Sequence, residues 1–304
     1  MKKKLYFLTG PTASGKTALG IEWAKKNDAE ILSCDSLLFY KGMDIGTAKP
    51  SPEEREGVRH YGIDMGSVDK PFNVKNYIDF SKQVVDEVYA RGKKLLVLGG
   101  SGFYLKSFFA PVVDDLEISE TISNHVLSLY EEQGLEGIVN ELLKINPESV
   151  GDLDLHNPRR VQKALMRCLG TGKNLFELKD SFDNQKEPFS DFEKKICILD
   201  RDNPFLYERI RRRVFHMLDC DLISEVKELL KQGIEKNPSA ASAIGYRETI
   251  RWLKSGHENR DDLAEAIILS TNQLVAKQRK WFRTQIKNAK IINLEDPGLN
   301  FDFD

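Results

Sequence analysis

At 304 residues the chain is long enough for one large domain or two ordinary ones with a substantial core. Its 40% hydrophobic and 30% charged residues are those of an ordinary folded protein, and its formal net charge of -2 does not by itself announce a polyanion partner. The four cysteines, Cys34, Cys168, Cys197 and Cys220, contain no C-x-x-C pair, which argues against a zinc site or a disulfide framework and suits a reducing compartment.

The N-terminal Met-Lys-Lys-Lys is followed by only about five apolar residues, too few for a signal peptide. No apolar run approaches membrane-spanning length, so a cytoplasmic protein without a membrane partner is expected. Leu5 to Thr9 has the length and character of a buried strand. It feeds directly into Gly10-Pro11-Thr12-Ala13-Ser14-Gly15-Lys16-Thr17, a complete G-x-x-x-x-G-K-[ST] loop, and a helix is expected from Thr17 onward. Small residues let backbone N–H groups converge on phosphate oxygens, and the helix N-terminus adds partial positive charge. Lys16 supplies a point charge to the terminal phosphates, and the Thr17 hydroxyl is the expected ligand for Mg²⁺, the expected cofactor.

Ala29 to Cys34 reads as a second strand ending in Asp35-Ser36. Carboxyl ends of strands in an open α/β sheet face the ligand crevice, so Asp35 is either a site carboxylate or a cap or turn residue. Gly42 to Pro50 is a Gly-rich loop beside the phosphate loop, either functional or a surface excursion. A short helix is expected at Pro52–Arg59, and Asn73 is placed to cap an amphipathic helix running to about Arg91. Lys94 to Leu98 is another buried strand, followed by Gly99-Gly100-Ser101-Gly102. Many nucleotide hydrolases end this strand with an acid, and none stands here, which weakens an ATPase or GTPase reading. Ser101 is either a substrate-positioning hydroxyl or a turn serine.

From Ile118 to Ser190 the sheet signal disappears. Ser119–Glu132 and Leu135–Leu143 read as a helical pair, and Asn157 caps a helix carrying Arg159, Arg160, Lys163 and Arg167. Strand character returns at Lys195–Leu199, so 118–190 reads as a helical insertion into a core made of 1–117 and 191–304. A helix opens at Pro204 with Arg209, Arg212 and Arg213 on neighbouring turns, which can clamp a diphosphate or merely pair with surface acids. Ala243 to Glu248 opens a further helix. The final long helix, about Arg260 to Ala289, interleaves Lys277, Arg279, Lys280 and Arg283 with Trp281 and Phe282, a pattern that suits a nucleic-acid groove or a helix with a buried aromatic face.

These segments together resemble the tRNA dimethylallyltransferases, the bacterial tRNA isopentenyltransferases. The resemblance lies in the phosphate loop, Asp35-Ser36, Tyr40 to Pro50, Gly99 to Tyr104, Asn157 to Leu165, Ala243 to Glu248 and Trp281-Phe282-Arg283. It runs in order over nearly the whole chain and implies a P-loop kinase-like parallel α/β core with an all-helical insertion domain and a helical C-terminal region. It also implies transfer of the dimethylallyl group of dimethylallyl diphosphate to N6 of adenosine 37 in tRNA. Asp35 would be the general base, with Lys16 and Ser101 in the catalytic centre and residues 10–17 on the diphosphate. Contacts to the tRNA anticodon stem-loop would fall on Asp35, Ser36, Leu37, Leu38 and Ser101, on Arg159, Arg160, Val161, Gln162 and Lys163, and on Gly245, Tyr246 and Arg247. Ser101 stands where Thr is common, Leu38 where many members carry Gln, and Asn272 and Ala276 where basic residues are expected. A monomer is expected. The competing reading is a small-molecule or nucleoside kinase that binds ATP in the loop and uses Asp35 to activate a hydroxyl.

Overall fold

Side chains alternate across a strand, and in this sheet both faces are used. Leu5, Phe7, Leu32, Leu95 and Val97 pack with Tyr77, Val84 and Val88 on one face, whereas Tyr6, Leu8, Ile31, Leu96 and Leu98 pack with Ile21, Trp23 and Ala24 on the other. Near-continuous apolar runs are what a parallel sheet covered on both sides requires.

The computed structural model describes residues 2–112, 116–256, 259–287, 289–296 and 301–303. The chain divides into two compact units, Met1–Phe109 with Phe189–Asp304, and Ala110–Pro188. In the first unit β1 (Lys3–Thr9) leads to α1 (Lys16–Lys26), β2 (Ala29–Ser33), β3 (His60–Tyr61), α2 (Val74–Ala90), β4 (Lys94–Leu98) and α3 (Gly102–Lys106). The helical unit follows with α4 (Glu120–Ile145), α5 (Pro158–Thr171) and α6 (Leu175–Asp183). The first unit resumes with β5 (Phe192–Asp200), α7 (Asn203–Asp219), α8 (Leu222–Lys231), α9 (Pro238–Ala241), α10 (Tyr246–Ser255), α11 (Arg260–Gln285) and β6 (Lys290–Asn293).

The described strands form one sheet in the order β3-β2-β4-β1-β5-β6, with every pair parallel. Parallel pairing brings the carboxyl ends of β1, β2, β4 and β5 to one edge, so the phosphate loop, Asp35, Ser101 and Arg201 leave the sheet on the same side. The C-terminal helices pack on each other: Leu206, Ile210 and Val214 of α7 meet Val226 of α8, Ile250 of α10 and Ile267 of α11.

Several expectations change in detail. Pro52–Arg59 forms turns rather than a helix, and the bridge at His60–Tyr61 pairs with Ile31 and Leu32. The helical pair expected at 119–143 is present: α4 is two helices that meet at a non-helical Gly134 (φ 66°, ψ -159°). The second unit starts earlier and ends two residues sooner than 118–190. Leu116 packs into the helical core with Val126, Leu142 and Leu165, while Phe189 stacks on Phe108 of the first unit. Asn73 and Asn157 cap α2 and α5, each accepting from the amide three residues on. Among the described residues no helix is long and apolar enough to cross a membrane.

Candidate active site

The loop between β1 and α1 owes its path to backbone freedom at its ends. At Gly10 (φ 152°) a β-carbon would lie 2.1 Å from the Leu199 carbonyl oxygen, so only glycine lets β5 approach here. Gly15 (φ 99°) takes the left-handed turn into α1. Lys16 reaches back, and its Nζ donates to the Pro11 carbonyl at 3.0 Å. Burial pushes its pKa down to about 8, with Asp35 opposing the shift and Arg213 adding to it. The Ser14 hydroxyl is buried without a hydrogen-bond partner, and the Thr17 hydroxyl makes no hydrogen bond among the described residues. Among the described residues no group of three or more His, Cys, Asp or Glu side chains could hold a metal ion. Any cation at this loop would therefore take most of its ligands from phosphate oxygens and water, as Mg²⁺ commonly does.

Two arginines fix the loop's carbonyls and a third holds a loop hydroxyl. Arg201 Nε donates to Ser14 O at 2.8 Å, and Arg209 Nε donates to Ala13 O at 2.8 Å. Arg213, half-buried and lowered in pKa chiefly by desolvation, donates to Thr12 Oγ1 at 3.4 Å and to Thr47 O at 3.0 Å. Gln278 on α11 ties the two strand ends together. Its Oε1 accepts from Thr12 N at 2.9 Å, and its Nε2 donates to Gly100 O at 3.1 Å.

Asp35 follows β2. Its Oδ1 accepts from Leu37 N at 3.1 Å, and its Oδ2 has no hydrogen-bond partner among the described residues, although the carboxylate acts electrostatically on Lys16 and Arg213. Ser101 Oγ accepts from Ser36 N at 3.1 Å, joining the ends of β2 and β4. A strand-end acid does occur, as the last residue of β5 rather than after β4, but Arg279 holds both oxygens of Asp200 at 2.7–3.0 Å.

The Gly-rich loop forms one wall. The Glu225 carboxylate accepts from Asp44 N at 3.0 Å, Ile45 N at 2.6 Å and Gly46 N at 3.1 Å, and also from the Tyr246 hydroxyl at 2.7 Å. Any β-carbon at Gly46 would strike the Tyr246 ring at 2.6 Å. Removing the carboxylate strands three loop amides. Glu225→Ala should therefore lower unfolding stability by about 2–3 kcal/mol, read from urea denaturation.

Phosphate loop, carboxylate and Gly-rich loop meet around one cavity of about 660 Å³. Thr12, Lys16, Asp35, Ser101, Arg213 and Gln278 all line it. The arrangement couples a cationic phosphate cradle to a carboxylate with an unengaged oxygen, the combination needed when a phosphorylated leaving group departs as a proton is removed.

Comparison with known proteins decides the family. Residues 38–285 match the model of the family described as IPP transferase. The chain is 46% identical to a tRNA dimethylallyltransferase of Opitutus terrae over 305 residues, covering 99% of this chain and 98% of the relative. It is 35% identical to the tRNA dimethylallyltransferase of Acetivibrio thermocellus, covering 95% and 91%. The chain belongs to the IPP transferase family. Among solved structures, the tRNA isopentenylpyrophosphate transferase of Bacillus halodurans is similar with a TM-score of 0.69 at 29% identity, covering 96% of this chain and 90% of that one. A eukaryotic dimethylallyltransferase acting on tRNA is similar with a TM-score of 0.83 at 26% identity, covering 96% and 74%. The fold is thus the P-loop-like α/β architecture of these enzymes, with a parallel six-stranded sheet and a helical C-terminal region.

Within this IPP transferase, the expected site residues divide into groups. Asp35, Ser36, Leu37, Ser101, Gly245 and Arg247 line the cavity with Lys16. Leu38 does not line it, and its carbonyl accepts from Asp64 N instead. Tyr246 is fully buried, so its side chain supports the Gly-rich loop rather than facing a ligand. Val161 is likewise a core residue, packed with Val126 and Leu142 inside the helical unit. On the same helix Arg159, Arg160 and Lys163 are exposed and Gln162 is half-buried. Gln278, Glu225 and Arg201 had no local signal of this kind, because their partners lie far away in the chain.

Proposed function

We propose that this enzyme transfers the dimethylallyl group of dimethylallyl diphosphate to N6 of adenosine 37 in tRNA, releasing diphosphate. The observation that carries the reading is that Lys16, Arg213 and Asp35 line the same cavity. In the step, the N6 lone pair forms a bond to C1 of the allyl group. The C1–oxygen bond breaks, and its electron pair leaves with the diphosphate. The N6 proton passes to Asp35, whose Oδ2 is unengaged. Phosphate-loop amides, Lys16 and Arg213 stabilise the negative charge that grows on the leaving group. Residues 10–17 form that cradle, with Thr17 as the protein ligand for Mg²⁺, which would neutralise part of the diphosphate charge.

The acceptor adenosine must leave its stack to reach a buried carbon. Ser36, Leu37 and Ser101 surround its place beside Asp35, and Ser101, where the family often has Thr, keeps the hydroxyl. The exposed Arg159, Arg160 and Lys163 of α5 take backbone phosphates of the anticodon stem-loop. Three buried, free cysteines, Cys34, Cys168 and Cys197, suit the reducing cytoplasm where such RNA is processed.

The acceptor assignment is tested with two stem-loops that differ at one base. With labelled dimethylallyl diphosphate, label should enter RNA carrying adenosine at position 37 and not RNA carrying purine riboside there. Equal labelling of both would remove N6 as the acceptor. For the helical unit, Arg160→Ala should weaken stem-loop binding and lower the slope of log affinity against log salt by about one. An unchanged slope would make that basic face solvated surface only.

A further inference from the structure

Arg247 lines the active-site cavity, and the structure says how its guanidinium is held. Adjacent residues on a helix do not ordinarily face one another, so a pairing between Arg247 and Glu248 requires the arginine to fold back across the start of α10. It does so. Glu248 Oε1 accepts from Arg247 Nε at 3.1 Å and from Arg247 Nη2. The same oxygen accepts from Ser270 Oγ at 2.8 Å, and Ser270 Oγ accepts from Arg247 Nη2 at 3.2 Å. Oε2 accepts from Gly245 N at 2.9 Å. The Glu248 side chain is only 7% exposed and that of Arg247 is 35% exposed.

A buried carboxylate is costly to keep unless it is fully paired, and an apolar residue could fill the same space. Here the side-chain bonds of Glu248 go to Arg247, to the Ser270 hydroxyl that also accepts from Arg247, and to the backbone just before them. Two of the three guanidinium nitrogens are consumed, while Nη1 has no hydrogen-bond partner among the described residues. We propose that Glu248 is a positioning residue: with Ser270 it holds the Arg247 guanidinium rigidly at the cavity wall, so that Nη1 grips a phosphate of the bound RNA. This rests on the tRNA reading above and adds to it the device that prepares the contact. An arginine locked before binding loses little rotamer freedom on gripping a phosphate, which a loose lysine or arginine would not match.

The test measures the Kd of a fluorescein-labelled anticodon stem-loop over a range of salt, together with thermal unfolding, for wild type, Arg247→Ala, Glu248→Gln, Ser270→Ala and Arg247→Ala/Glu248→Gln. Arg247→Ala should raise Kd about tenfold and lower the salt slope by about one. Glu248→Gln should raise Kd about threefold to fivefold, Ser270→Ala should act in the same direction but less, and the double variant should bind no worse than Arg247→Ala alone. If the effects of Arg247→Ala and Glu248→Gln instead multiply, Glu248 acts independently and the proposal is wrong. If Glu248→Gln lowers the unfolding temperature but leaves Kd at the wild-type value, Glu248 is only the cap of α10 and the proposal is again wrong. Unchanged Kd and slope in Arg247→Ala would remove Arg247 itself from the RNA contacts. That failure is separable from the prenyl transfer, which label incorporation reads directly.

Discussion

Asp35→Asn should lower the single-turnover rate of prenyl transfer by about 10²-fold or more while leaving stem-loop affinity close to wild type. The substitution is nearly isosteric. An asparagine oxygen can keep the hydrogen bond from Leu37 N, so the turn after β2 survives. What disappears is the unengaged Oδ2 as proton acceptor. A competing effect runs the other way: the aspartate is the negative neighbour that raises the Lys16 pKa and repels an incoming diphosphate. Its neutralisation should therefore not weaken donor binding. A rate loss at saturating donor and RNA then belongs to the proton transfer and not to occupancy. A wild-type rate in Asp35→Asn would remove Asp35 as the base.

Arg213→Ala should cost a further class of stabilisation, about 10²- to 10³-fold in kcat, the scale seen when one preorganised donor to a developing anion is removed. Arg213 is half-buried, lines the cavity and spans Thr12 Oγ1 and Thr47 O, so it joins the phosphate loop to the Gly-rich wall. Arg213→Lys should recover only a small part of the loss. A lysine restores charge but cannot reach two fixed acceptors as a planar fork does. Urea denaturation of both variants separates rate from stability. A Lys variant at wild-type kcat would mean that charge alone suffices and the fork geometry is irrelevant.

The parts of the fold that were legible share a physical reason: their signal is local. The strand–loop–helix at residues 3–26 is written in an apolar run followed by glycines at the two positions where the backbone needs them. Asn73 and Asn157 announce helix starts because a cap acts over three residues. β3 and β6 were not legible. A two-residue bridge and a four-residue edge strand have no period of their own and exist because Ile31 and Ile198 offer partners. Site residues follow the same division. Asp35 and Ser101 sit just beyond strand ends, where topology makes them candidates, and Lys16 is marked by the loop motif that opens α1. Gln278 meets Thr12 across 266 residues, and Glu225 meets the Gly-rich loop across about 180, distances over which no sequence pattern carries information. Tyr246 and Val161 run the other way. They stand inside family motifs among residues expected to touch RNA, yet each is fully buried. A motif records that a position matters without saying whether its side chain faces the ligand or the core.

The most direct measurement is one transfer assay. Purified enzyme is incubated with Mg²⁺, dimethylallyl diphosphate labelled in the allyl group, and an anticodon stem-loop carrying the A-A-A run around position 37. The RNA is then digested to nucleosides, and released diphosphate is counted alongside. The account predicts label in a single modified nucleoside, N6-dimethylallyladenosine, with one diphosphate released for each group transferred. Unlabelled RNA, together with phosphate passing from ATP to a small molecule, would contradict it and make this site a kinase's.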